Sequence, residues 1–75
     1  MLRSACAALS LTSREVDVLR LVGRGLTNRE IADALVITEV TVKSHFGRVL
    51  SKLGLRDRAA AIVYAFDAGL VVAER

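Results

Sequence analysis

The 75 residues contain no proline, no tryptophan, a single cysteine, a single histidine and three aromatic side chains, Phe46, Tyr64 and Phe66. With Cys6 alone, no intrachain disulfide can form. With only His45 beside it, no Cys/His set of zinc-ligand spacing exists, so neither a metal nor a cofactor is expected. The lone thiol reads as an incidental one in a reduced, cytoplasmic protein. Scarce aromatics and absent proline, set against abundant Ala, Leu, Val and Arg, favour helices over a sheet, and no strands are expected.

Long apolar runs are missing too. Hydrophobic residues make up 53% of the chain, yet charges interrupt them well before the 18 or so consecutive apolar residues that a membrane span requires. Arg3 followed by small residues near Met1 superficially suggests a secretion signal, but the apolar stretch of roughly 7 to 15 residues that such a signal needs is lacking. A chain this short buries only about 60% of its unfolded surface, which leaves no room for a deep catalytic cavity. Cys6 and His45 lie far apart, and neither paired carboxylates nor a glycine-rich phosphate loop occurs. Surface binding rather than catalysis is the expectation, with no small-molecule ligand.

The net charge is +3, and it is unevenly placed. Lys43, Arg48, Lys52, Arg56 and Arg58 face only Asp57 within one short stretch, whereas the remainder holds six basic and seven acidic residues. The excess able to attract a polyanion therefore sits on one element and its following turn, although such a stripe also occurs as a merely solvated face.

Capping signals divide the chain into four helices, an all-α domain. Leu11-Thr12-Ser13-Arg14-Glu15-Val16 supplies a cap at Thr12, a capping-box partner at Glu15 and an apolar staple from Leu11 and Val16, opening a helix over 13–24 that Gly25 terminates. Leu26-Thr27-Asn28-Arg29-Glu30-Ile31 repeats that grammar and opens a short helix over 28–35, with Ile31, Ala32 and Leu35 inward. After a three-residue turn, Thr38 caps a helix over 39–53 whose stripe of Val42, Phe46, Val49, Leu50 and Leu53 faces the core. Val40, Thr41, Lys43, Ser44, Gly47, Arg48, Ser51 and Lys52 are left on its outer faces. Asp57 caps a fourth helix over 58–68, ended by Gly69, whose run from Ala59 to Phe66 is apolar around most of its circumference. That run is either a helix of harmless alanines or, through Ala59, Ile62, Val63 and Phe66, a surface for a second copy of the chain. Residues 1–10 read as linker and 11–75 as the domain.

Two capped helices joined by a three-residue turn, the second long and basic outside, match the helix-turn-helix arrangement that places a recognition helix in the major groove of double-stranded DNA. Near the start of that helix, Thr41, Lys43, Ser44 and Gly47 are small enough to allow approach or able to bond base edges, and Lys43 can donate to guanine O6 or N7. Thr27, Asn28, Arg29, Thr38 and Thr41 stand at helix starts, where hydroxyls and free amides suit phosphate oxygens and position the protein rather than specify sequence. His45, Arg48 and Lys52 are further candidates for phosphate contact. Thr27 and Thr38 also serve as caps, and Lys43 has an alternative partner in Glu39 one turn earlier.

At these residues a family resemblance is legible. Leu11-Thr12-x-Arg14-Glu15, Gly25-Leu26-Thr27-Asn28-Arg29-Glu30-Ile31-Ala32, Thr41-Val42-Lys43-Ser44-His45 and Lys52-Leu53-Gly54 together resemble the LuxR-type DNA-binding domain, most of all the effector domain of NarL/FixJ-type two-component response regulators. The resemblance spans roughly residues 11–70. It implies a four-helix transcription regulator that pairs through its fourth helix on inverted or tandem half-sites; a contact with RNA polymerase is a separate expectation, obligatory under the sigma-factor reading below. It also implies base contacts from Lys43 and Ser44. Other members carry longer polar side chains where this chain has Val40 and Gly47, so the base-reading set is smaller here or favours a thymine methyl near Val40. Such domains usually follow a receiver or ligand-binding domain; either the chain is one piece of a longer regulator, the expected case, or it is free-standing. Two rival readings remain, a region-four-like domain of an alternative sigma factor and a helical protein-interaction module working through the fourth helix.

Overall fold

Satisfying the free amides at each helix start fixes where the elements of this chain begin. The computed structural model describes residues 10–71, so Cys6, nearly all of the expected linker and residues 72–75 lie outside the described part. Among the described residues there are four helices and no strand: α1 (Ser13–Gly23), α2 (Asn28–Leu35), α3 (Glu39–Leu53) and α4 (Arg58–Asp67). Thr12 and Thr27 each close a full capping box, accepting from the amides of Glu15 and Glu30 while those carboxylates accept from the cap amides. Thr38 Oγ1 accepts from the Thr41 amide at 3.1 Å, and Asp57 Oδ1 from the Ala60 amide at 2.9 Å. Each such cap is worth about 1 kcal/mol.

The helix ends differ from expectation by a single residue in two places. Arg24 and Ala68, expected as the last residues of α1 and α4, are C-caps: each amide still bonds back into its helix, while Gly25 and Gly69 just beyond adopt positive φ and turn the chain away. The turn between α2 and α3 holds a feature the spacing did not foretell. Val36, a β-branched residue, takes the left-handed conformation at φ 58°, ψ 50° and is 88% exposed.

α1 is the hub, packing against α4 and α3, and α3 packs in turn on α2. Val18, Leu19 and Val22 of α1 are fully buried with Ile31 of α2, Val42 and Val49 of α3, and Ala61 and Ala65 of α4. Leu35, Phe46, Leu50 and Leu53 pack half-buried around them, as do Leu11, Leu26 and Ile37 just ahead of the caps. The small residues set the spacing between helices. A Cβ on Gly23 would stand 2.7 Å from Ala65 Cβ and 2.8 Å from Val71 Cγ2, so α1 and α4 approach as closely as they do because Gly23 has none.

Candidate nucleic-acid interface

The inward stripe of α3 determines what its opposite side presents. With Val42 and Val49 fully buried, helical spacing turns Val40, Lys43, Ser44, Gly47, Arg48 and Ser51 to solvent, and all six are exposed, Val40 by 76%. Lys43 forms no ion pair with Glu39 or any other carboxylate among the described residues, so its ammonium projects unpaired. A Cβ on Gly47 would meet nothing within 4 Å; the fold itself does not require glycine there. Thr41 and His45 border this face half-buried. Thr38 and Thr41 place their hydroxyls 2.9 Å apart at the helix start. The His45 Nδ1 atom is buried without a hydrogen-bond partner among the described residues.

At the start of α2, Thr27 and Arg29 are exposed and Asn28 half-buried. The capping box uses the Glu30 amide, and Ile31 bonds back to the Thr27 carbonyl, leaving the amides of Asn28 and Arg29 without a helical acceptor. Gly25 to Arg29 line a shallow depression of about 460 Å³ with Glu39 and Arg58. Both helix starts therefore offer free N–H groups to solvent beside the exposed face of α3, and the positive ends of their dipoles favour an anion there.

Two basic residues do more inside the protein than their spacing suggests. Lys52, expected among the phosphate contacts, turns back instead: its Nζ bonds Glu15 Oε1 at 2.8 Å and the Ser10 carbonyl at 3.2 Å, tying the end of α3 to the start of α1. Glu15 is 1% exposed. The Lys52 hydrogen bond, then the Thr12 amide, hold its carboxyl below the ordinary value of 4.5, against the opposing effect of burial. Arg58 donates to the Leu26 carbonyl through one guanidinium nitrogen and to Asn28 Oδ1 through the other at 3.1 Å, with its Cζ over the Phe46 ring, 5.6 Å from the centroid. Neither contact is local in sequence; a basic residue just after a cap was the only available signal.

On α4, Ala61 and Ala65 point inward while Ala59, Val63 and Phe66 are exposed, Val63 by 60% and Phe66 by 42%, with Ile62 half-buried beside them. The spacings of four and three place these residues on one apolar face, away from α1.

Comparison with known proteins agrees with this geometry. The profile of the family described as bacterial regulatory proteins, luxR family, matches residues 9–65. The transcriptional regulatory protein LnrK of Bacillus subtilis is 50% identical over 64 residues, covering 85% of this chain and 29% of that protein. The response regulator protein VraR of Staphylococcus aureus is 48% identical over 61 residues, covering 81% and 29%. Among solved structures, the response regulator ChrA of a heme-sensing two-component system is similar with a TM-score of 0.74 at 42% identity, over 83% of this chain and 31% of its own. The chain thus spans less than a third of the length of these relatives. Its fold, with two capped helices joined by a short turn, is that of the helix-turn-helix domain of these relatives, and the chain belongs to the luxR family of bacterial regulatory proteins.

Proposed function

We propose that the domain binds double-stranded DNA sequence-specifically to regulate transcription, as the effector part of a response regulator, with α3 in the major groove. The observation that carries this reading is the exposed, unpaired Lys43 on a face of small residues, flanked by two helix starts with free amides. Lys43 donates to a guanine edge and Ser44 bonds a neighbouring base. Val40 offers its methyls to a thymine, and Gly47 lets the duplex approach. Thr27, Asn28, Arg29, Thr38, Thr41, His45 and Arg48 hold the phosphates. Lys52, engaged with Glu15, is left out of that set.

The apolar face of Ala59, Ile62, Val63 and Phe66 supports pairing of two copies on adjacent half-sites. A protein-interaction module working through the same face would bind its target with little dependence on salt. A DNA reader behaves otherwise: a monomer touching roughly four phosphates gives log affinity falling against log salt with a slope near −3.6, and a dimer about twice that. Titration of a labelled duplex at several salt concentrations measures the slope, and a weak, salt-independent signal rejects the reading.

A further inference from the structure

Arg58 belongs to α4, outside the helix-turn-helix, yet its guanidinium reaches the segment that enters α2. Arginine is a donor only, so the Asn28 atom facing it must be the acceptor Oδ1. The orientation of the Asn28 amide is thereby fixed. Its Nδ2 group, with two N–H donors, finds no acceptor among the described residues, and Asn28 lines the depression together with Arg29. The second guanidinium nitrogen, on the Leu26 carbonyl, fastens the backbone just ahead of the Thr27 cap. The Phe46 ring beneath the guanidinium ties the same group to the recognition helix.

We propose that Arg58 is a positioning residue for DNA: by holding Asn28 Oδ1, it presents the Asn28 amide donors to a backbone phosphate beside the first-turn amides of α2. The inference rests on the DNA reading above and adds a residue that reading does not include. Arg58 acts through Asn28 and does not itself meet the phosphate, because its fork is already occupied by the protein.

A double-mutant cycle tests this. Affinity for a duplex is measured across a salt series for the unsubstituted chain, Arg58→Ala, Asn28→Ala and the double variant, with circular dichroism confirming that each is folded at the temperature used. The expected result is a loss of about tenfold for each single variant, as for one hydrogen bond to a charged group. Because the lost contact carries no protein cation, the salt slope stays unchanged, and Arg58→Ala adds little in the Asn28→Ala background. Arg58→Lys keeps the charge and the stem against Phe46 but cannot hold both acceptors, so it shows the same coupled loss at near-native stability and serves should the alanine variant fail to fold. A slope shallower by about 0.9, persisting without Asn28, would make Arg58 a direct phosphate contact and overturn the proposal. Unchanged affinity in folded variants would leave Arg58 a brace of the fold and overturn it equally. Failure of the unsubstituted chain to bind with any salt dependence would instead remove the DNA reading, and this inference with it.

Discussion

Val36 is the only non-glycine residue with positive φ among those described, and it is the residue that bends the chain from α2 into α3. A β-branched side chain in the left-handed region costs about 1–2 kcal/mol, and at 88% exposure Val36 recovers little of it by burial. Val36→Asn is therefore expected to raise stability by about 1 kcal/mol in urea denaturation, and a lowered midpoint would show that the valine makes an unseen contribution. Glu15 behaves in the opposite way, with its partner supplied from 37 residues away. Removing that partner in Lys52→Met strands a buried carboxylate at a cost of about 2 kcal/mol, less than for a wholly buried pair because Lys52 keeps 35% of its side chain exposed. Since folding lowers the proton affinity of Glu15, its contribution is fully present above about pH 4.5 and is lost as pH falls through its lower folded value. Acid titration of stability should show this loss, and Glu15→Gln should flatten it; an acid limb unaltered in that variant would contradict the assignment. The sequence exposed Glu15 as a capping-box residue but not its second role, because a bond between positions 15 and 52 leaves no local pattern.

Among the elements, legibility follows the range of the interactions that build them. The caps at Thr12, Thr27, Thr38 and Asp57 bond to a residue three positions on, so the sequence itself displays the partners and the helix starts are found without error. The stripe of α3 is equally local, and it locates the exposed face. Gly23 and Arg58 were not legible as contacts, because what they meet is decided by how α1, α2 and α4 cross. Two glycines inside helices separate these cases. Gly23→Ala would force its methyl against Ala65 and Val71 and should destabilise the fold by about 1–3 kcal/mol despite the better helix former. Gly47→Ala, with open space around it, should stabilise α3 by about 1 kcal/mol. Thermal denaturation of the pair checks this, and shifts of the same sign in both would contradict the packing described between α1 and α4.

At the scale of the whole molecule, one small core serves two outward surfaces at once. α1 supports α3 on one side and α4 on another, so the outer face of α3 and the apolar face of Val63 and Phe66 have a fixed relation to each other. Pairing through α4 would then set the distance between two recognition helices and hence between half-sites. Val63→Glu, at an exposed position, should leave the fold intact by circular dichroism while weakening cooperative binding to paired sites; cooperativity that persists would move the pairing surface elsewhere. The central claim, that the outer face of α3 reads bases, is tested most directly through Lys43→Ala, measured on a duplex selected from random DNA and on an unrelated one. A loss of about 1–3 kcal/mol confined to the selected duplex is predicted. Equal losses on both duplexes would contradict it, reducing Lys43 to one more phosphate contact.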